Sequence, residues 1–435
     1  MERMRVSTSN RILLRGLATL VVLLLASGRS LADPPPPTPA LTLEAALSTA
    51  RQNSRLVAAA RLRIGEARGD LTGASILLVD NPEIAAEAGP TFPGASGGET
   101  TAAIGVGVEQ RFETGGQRTH RIDQARAEVG AASASADDVQ RVVDLAVART
   151  FYGALGSELR LQLLEENERL ARELHDVASR RLDAGDGTPL EVNTARIRLA
   201  EAQRRTVATR TERQAVGVRL AELLGLAPST ALMLQGDLPG DETAPAADVL
   251  AARAVRARPD LAAAARQLDA ARSAIDLADA EAWPDIGVGV FYGRDQGDDT
   301  VTAGLRVPIP LFNRNQGERE RARATRERVS AEQDALRLSV ESEVHEALLA
   351  YEQARSALHL YNAEVLRAQE ESLGLLQRAL EAGEVGIPDV IVVQREVIEG
   401  REAYLDVRLD LALARAAVLA SANLPQTGTP QGVAP

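Results

Sequence analysis

Apolar residues recur at helical spacing through most of this chain, and in its last long segment they do so with a seven-residue step. Val390, Val397, Tyr404, Leu411 and Val418 form one line, and Val393, Gly400, Val407 and Ala414 form a second beside it. That is the pattern of a coiled-coil seam. Leu163, Leu170 and Val177 keep the same step earlier in the chain. The segments are rich in Ala, Leu, Arg, Glu and Gln, which favour helix, and no proline falls between Pro93 and Pro189 or between Pro310 and Pro388. Such runs exceed an ordinary globular helix. If helical throughout, Gln117 to Leu182 would be a rod about 100 Å long at ~1.5 Å per residue.

Ahead of the rods the period changes from helical to alternate. In Ala102 to Phe112, Ile104, Val106 and Val108 share one face, and Gly105, Gly107, Glu109 and Arg111 the other. In Asp285 to Gly293, Ile286, Val288, Val290 and Tyr292 oppose Gly287 and Gly289; in Thr300 to Val307, Val301, Ala303, Leu305 and Val307 oppose Thr302, Gly304 and Arg306. A weaker fourth segment, Glu83 to Gly89, sets Ile84, Ala86 and Ala88 against Glu83, Glu87 and Gly89. Transmembrane strands run to roughly 9 to 11 residues and alternate in this way. The links Pro90 to Gly98 and Arg294 to Asp299 suit exposed hairpin loops. Of the 11 aromatic residues, Phe92, Phe112, Trp283, Phe291, Tyr292 and Phe312 lie in or beside these segments, where the girdles of a barrel belong. The bland alternative is a small water-soluble sheet with one buried face. Four strands cannot close a channel, and lipid tolerates no open edge, so a barrel reading requires several chains to pool their strands.

The chain also matches itself at an offset of about two hundred residues. Asn53 to Leu56 answers Arg258 to Leu261, Asn81 to Ile84 answers Trp283 to Ile286, Arg111-Phe112 answers Leu311-Phe312, and Asp183-Ala184-Gly185 answers Glu381-Ala382-Gly383. The expected organisation is a first repeat over 41–225, a linker over 226–245 marked by Pro228, Pro239, Gly240 and Pro245, a second repeat over 246–422 and a tail over 423–435. Each repeat reads as helix, two strands, very long helix, sharp turn and long helix.

Composition changes the picture at the N-terminus first. Arg3, Arg5, Arg11 and Arg15 precede the apolar run Leu17 to Ala26, and Ser30-Leu31-Ala32 supplies small residues, the form of a cleavable signal peptide over 1–32. The run is about half the ~20 residues a membrane-spanning helix needs. Residues 33–40 form a proline-rich leader. The chain has no cysteine, which excludes a disulfide framework, thiolate metal sites and a lipidated cysteine. Its formal charge of −12, with no basic block interleaved with aromatics, argues against nucleic acid as a partner. His120, His175, His345 and His359 form no i, i+4 pair, so no metal site is read from them. No nucleophile turn, phosphate loop or paired-carboxylate cleft stands out, and Gly105 and Gly287 lie inside alternating strands rather than at a dinucleotide turn. The expectation is a protein without catalytic residues or cofactors.

The duplicated order of elements and two helical hairpin tips complete the case. The tips are Arg180-Arg181-Leu182-Asp183-Ala184-Gly185-Asp186-Gly187-Thr188-Pro189-Leu190-Glu191-Val192 and Arg378-Ala379-Leu380-Glu381-Ala382-Gly383-Glu384-Val385-Gly386-Ile387-Pro388-Asp389-Val390. In each, a glycine suits the left-handed cap of one helix and a proline opens the next. Across essentially the whole mature chain this resembles the TolC-like outer-membrane factors. The junctions Glu113 to Arg118 and Pro308 to Glu318 resemble the cobalt-zinc-cadmium efflux branch. The resemblance implies a mainly α fold with a small β part: duplicated long helical hairpins forming an α-barrel, with four strands per protomer contributing to a trimeric twelve-stranded β-barrel. It implies an outer-membrane channel of a tripartite efflux system, working with a periplasmic adaptor (membrane fusion) protein and an inner-membrane pump of the proton-driven resistance-nodulation-division type. Its cargo would be divalent heavy metals or small toxic compounds. Gly185, Gly187, Gly383 and Gly386 would be adaptor-docking tips, and Glu191, Glu384 and Asp389 a pore gate. Val392 stands where the best-known pattern has a second gate acid, and Val385 where it has a nearby basic residue, so an ion-pair lock is not implied. The acids serve equally as helix-end charges. A reading of another class is a periplasmic coiled-coil adaptor or scaffold without a pore; two hairpins in one chain and girdle-like aromatics favour the channel.

Overall fold

The computed structural model describes residues 40–92, 100–295, 297–361 and 363–428. The expected signal peptide, nearly all of the proline-rich leader and most of the first strand-pair loop lie outside them. The first half runs α1 (Leu43–Asn53), α2 (Arg55–Ala74), β1 (Glu83–Thr91), β2 (Thr101–Phe112), α3 (Gln117–Asp183) and α4 (Pro189–Leu223). The second runs α5 (Ala247–Ala257), α6 (Pro259–Ala280), β3 (Ile286–Asp295), β4 (Asp298–Arg306), α7 (Gln316–Leu360), α8 (Ala363–Glu381) and α9 (Ile387–Ser421). The fold is mainly helical, and α3 is the expected rod, unbroken over 67 residues.

Three breaks depart from the sequence reading. The leading helix of each half, expected to be single, is two. Arg258 precedes Pro259, whose ring forces it out of the helical region, to φ −71° and ψ 130°. Ser54 takes nearly the same conformation, φ −60° and ψ 126°, with no proline after it. The second rod is interrupted at Tyr361, φ −92° and ψ 61°, where α7 stops; the Tyr361 ring lies 5.9 Å from that of Tyr404 on α9.

The helices bury two cores about their middles. One gathers Leu47, Val147, Phe151, Tyr152, Leu220, Leu224 and Ala412, and the other Leu250, Val340, Tyr351, Leu411, Val418 and Leu419. The connection between the halves is tied to them: Leu41 bridges Leu234 in parallel, and the Tyr351 hydroxyl donates to the Glu242 carbonyl at 2.6 Å. On α9 the first seven-residue line is buried at Val390, Val397, Leu411 and Val418. Of the expected second line Ala414 is buried while Val393, Gly400 and Val407 are half-buried, and a line buried at every position runs instead through Ile398, Leu405, Ala412 and Leu419. α9 packs against α3, α7 and α8, and several neighbours cover a wider arc than the two-stranded seam assumed.

The four strands form one antiparallel sheet in the order β1-β2-β3-β4. Ladders run through Glu83↔Glu109, Val108↔Val290 and Gly287↔Arg306. Among the described residues no strand pairs with the outer edges, on β1 and β4.

Candidate functional site: the sheet and the hairpin tips

The register carries one apolar face across all four strands. Ile84, Ala86 and Ala88 lie opposite Val108, Val106 and Ile104; Val106 and Val108 lie opposite Tyr292 and Val290; Val288, Val290 and Tyr292 lie opposite Leu305, Ala303 and Val301. Among the described residues nothing covers this face: Ile84, Leu305 and Val301 are 75%, 72% and 71% exposed. A contiguous patch of this breadth is unfavourable in water and marks contact with lipid or protein. Among the described residues no helix is long and apolar enough to cross a membrane.

The opposite face holds Glu83, Glu87, Glu109, Arg111, Thr300, Thr302 and Arg306 among glycines. Arg306 donates to Glu109 at 2.9 Å. Sequence reasoning grouped Phe291 with the girdle aromatics, but its position puts it on this polar face, where its ring lies against Gly107, Gly289 and Gly304. A Cβ at Gly107 would stand 2.1 Å from Phe291 Cδ1, so any side chain there would force the ring to move. Counting parity from Val290 would have found it. Tyr292 is on the apolar face, and its hydroxyl donates to Asp299 Oδ1 at 2.8 Å.

Where the sheet meets the rods, polar groups are knitted together. Arg111 pairs with Asp80 and lies 3.8 Å from Asp285 Oδ2. The Gln117 side chain donates to Asp285 at 2.9 Å and accepts from the Gly115 amide at 2.8 Å, and Arg121 pairs with Glu113 at 2.7 Å. Burial pushes the Asp285 carboxyl above its ordinary value; Arg111 opposes the rise and Glu113 adds to it. This network ties the sheet to the start of α3, and its contacts among Asp80, Arg111, Gln117 and Asp285 were not foreseen because those residues are far apart in sequence. An open cleft of about 780 Å³ lies here, lined by Asp80, Arg111, Trp283, Arg306 and Phe312 among others.

At the far end the two hairpin tips are built alike. Gly185 and Gly383 have φ of 84° and 75°, a conformation that costs any other L-residue roughly 1 kcal/mol or more. The Gly185 and Asp186 amides donate back to the Leu182 and Arg181 carbonyls, and those of Gly383 and Glu384 to Leu380 and Ala379, closing α3 and α8 with the double bond of a Schellman cap. Gly187 is pressed against the backbone of the preceding turn, with a Cβ position 2.9 Å from the Leu182 amide nitrogen. Glu191 accepts from the Thr188 amide at 2.8 Å while Thr188 Oγ1 accepts from the Glu191 amide at 3.3 Å, a reciprocal capping box. Asp389 accepts from the Gly386 amide at 3.1 Å, but Gly386 has no side chain to answer. Glu384 is exposed on its turn. Leu174, Ala178, Val192, Ala195, Ile387 and Val390 form one cluster with Val385 packed against it, so the two tips stand side by side. Glu191 and Asp389 therefore hold equivalent places at the starts of α4 and α9, each occupied as a cap acceptor.

His345 Nδ1 lies 2.8 Å from the Glu341 carbonyl oxygen and His359 pairs with Asp241 at 3.0 Å. Among the described residues no three His, Asp or Glu side chains are grouped to hold a metal ion.

A sequence-family model described as outer membrane efflux protein matches residues 46–226 and 250–424. The cobalt-zinc-cadmium resistance protein CzcC of Cupriavidus metallidurans is 26% identical over 369 residues, covering 84% of this chain and 86% of its own. The pyoverdine export outer membrane protein OpmQ of Pseudomonas putida is 26% identical over 413 residues, covering 86% and 84%. Among solved structures, the outer-membrane channel OprN superposes with a TM-score of 0.73 at 18% identity, over 87% of this chain and 89% of that one. The outer membrane protein VceC of Vibrio cholerae gives 0.71 at 17% identity, over 88% and 96%.

Proposed function

Because this chain belongs to the outer membrane efflux protein family, and so is a transport conduit and not an enzyme, we propose that it is the outer-membrane duct of a metal-exporting tripartite system. In this reading three copies pool their strands into one twelve-stranded barrel, with the apolar sheet face toward lipid and the polar face toward the pore. The 67-residue rod and its neighbours continue the conduit into the periplasm once residues 1–32 are removed as a signal peptide. The observation that carries it is a sheet with two free edges and an uncovered apolar face, held on the ends of two long helical hairpins. A soluble scaffold would gain nothing from that face; lipid accepts it, and lipid also requires the edges to be paired by other copies.

The paired tips at Gly185, Gly187, Gly383 and Gly386 are the docking surface for a periplasmic adaptor, which links the duct to a proton-driven inner-membrane pump of the resistance-nodulation-division type. Glu191, Glu384 and Asp389 ring the tip end and favour cations there. With Val385 in the tip cluster and a half-exposed Val392, that constriction is held by packing and caps rather than by an ion-pair lock. Divalent heavy metals as cargo are supported by the likeness to a cobalt-zinc-cadmium resistance protein over most of both chains. Selection among cargoes falls to the pump.

Single-channel recording on the protein extracted from outer membranes tests the gate directly. Glu384→Gln with Asp389→Asn is expected to lower cation preference and change conductance while leaving the trimer intact. Traces identical to those of the parent would return Asp389 to a purely capping role and leave Glu384 as a solvated charge on its turn. In the same host, deletion is expected to raise sensitivity to zinc, cobalt or cadmium, and unchanged tolerance of all three would remove the metal assignment.

A further inference from the structure

The two halves of the sheet are related by two fixed steps along the chain. Pro82 and Pro284, which precede β1 and β3, are 202 residues apart. Gly116 and Asn315, the left-handed residues that cap the starts of α3 and α7 at φ 80° and 56°, are 199 apart. These steps can be checked against the ladders. Carried across by them, the observed pair Glu83↔Glu109 becomes Asp285 opposite Pro308, in register with the observed Gly287↔Arg306. The 199-residue step also takes Asp144 to Glu343, each the rod carboxylate that pairs with an arginine at its half's helix break.

Within one chain the two halves join by β2 on β3, through Val108↔Val290, Gln110↔Val288 and Phe112↔Ile286. The same join, advanced by the same two steps, falls between β4 and a β1 that this chain does not have. We infer, resting on the multi-copy barrel reading above, that β4 pairs antiparallel with β1 of a second copy in one register. Val307 then lies opposite Ala88 of the second copy, Ile309 opposite its Ala86 and Leu311 opposite its Ile84.

A second observation supports that join independently. β1 pairs with β2 only as far as Glu109, so Gln110, Arg111 and Phe112 are held in strand by β3 alone. Their counterparts are Ile309, Pro310 and Leu311, and here the strand has already ended at Arg306. The sequence nonetheless continues the alternation Val301, Ala303, Leu305 through Val307, Ile309 and Leu311, and Ile309 and Leu311 are 75% and 64% exposed. Val307, Ile309 and Leu311 are thus spaced as in a strand, although Pro308 and Pro310 between them donate no ladder bond, and among the described residues the segment lacks a neighbour on its outer side. The inferred register supplies it and keeps every apolar side chain on the face shared with Ile84, because a slip of one residue would turn them all over.

The absence of native cysteine makes disulfide trapping a clean test. Ala88→Cys with Val307→Cys, and separately Ala86→Cys with Ile309→Cys, are oxidised in outer-membrane vesicles and run without reductant, alongside single-cysteine controls that must themselves run as trimers. Directly opposed residues have Cβ separations within disulfide reach, and diagonal ones do not. Both pairs are expected to give covalent dimers and trimers, at several-fold higher yield than Ala88→Cys with Leu305→Cys or with Ile309→Cys. A higher yield from either shifted pair, or trimers that trap at neither expected pair, overturns the register while leaving the barrel standing. A parent protein that extracts as a monomer overturns both.

Discussion

The leading helix of each half bends at an equivalent place with nearly equal backbone angles, yet the two bends are secured by different chemistry. In the first half Arg51 makes a two-pronged bond to Asp144 of α3, at 3.1 and 2.7 Å, with its side chain 42% exposed. In the second half the arginine sits at the bend itself. The Arg258 side chain is 4% exposed and meets Asp260 at 3.1 and 2.7 Å, Glu343 at 2.5 Å and the Ser421 carbonyl at 3.4 Å. Thus one cation in the second half ties α6, α7 and the end of α9 together, while Arg51 joins only two elements. Arg51 is partly in water, so solvent can enter beside Asp144, whose own side chain is only 12% exposed, whereas losing the buried Arg258 strands charge with less access for water. Duplication preserved the bend and the carboxylate on the rod, and left the burial of the cation free to diverge.

The largest expected effect breaks this comparison at its buried side. Arg258→Ala should destabilise the protein by about 3 to 5 kcal/mol, the range for removing one partner of a buried pair, whereas Arg51→Ala should cost less, about 1 to 3 kcal/mol, the range for a buried acceptor left without its partner. Denaturant titration of the two variants in detergent, followed by far-ultraviolet circular dichroism, measures the difference. Equal losses would mean that exposure does not separate the two clamps.

Acidification sharpens the same contrast with a smaller effect. Burial alone would raise the Asp260 carboxyl, but its hydrogen bonds and attraction to Arg258 hold it below its ordinary value. A carboxylate with a lowered folded value adds stability above its unfolded value, near pH 3.9, and loses it as pH falls through the folded value. In Arg258→Ala the lowering by Arg258 is lost while burial, the Leu261 amide bond and the attraction of Arg141 remain, so the Asp260 value should rise. The contribution this residue makes above its unfolded value should therefore shrink, and with it the stability lost as pH falls below about 4. The slope difference between parent and variant over that interval is the quantity to measure, and parallel curves would dissociate Asp260 from Arg258.

Much of this architecture could be read from side-chain pattern alone, because the strands and rods are simple periods. The alternation of Ile104, Val106 and Val108 placed β2 to within a residue of its observed start, and Gln117 marked the start of α3. The bend at Arg258 was open to view in Pro259. The matching bend at Ser54 was not, since no residue there forbids helix and the bend is set by what packs around it. The interruption at Tyr361 carries no proline or glycine either. At the tips, glycine conformations and proline-led starts were legible because they are local. The clamps and the junction network were not, because Arg111 and Asp285, or Arg258 and Glu343, meet only after folding. The second buried line on α9 was misjudged for a related reason: a heptad assumes one partner helix, and α9 has several.

The smallest effects lie at the tips, where the halves differ by one hydroxyl. Thr188 and Glu191 exchange two hydrogen bonds, while Asp389 makes one to Gly386. Thr188→Ala should therefore weaken the first tip by roughly 1 kcal/mol, and replacing the second tip's glycine, Gly386→Ser, should strengthen it by only a few tenths, the usual margin between these residues as caps. Gly386 can accept the change because its φ of −86° suits any residue. An added Cβ would also meet only the Pro388 ring and the Asp389 carboxylate at 3.4 and 3.5 Å, ordinary contact distances. Amide hydrogen exchange at the first turns of α4 and α9 reads each tip separately, and the expected result is faster exchange over residues 189–192 in Thr188→Ala and slower exchange over 387–390 in Gly386→Ser. If exchange at the second tip is unmoved by the added hydroxyl, its firmness comes from the shared cluster of Ile387, Val390, Leu174 and Val192 rather than from its cap, and the two tips are then one packed unit that differs only at its surface.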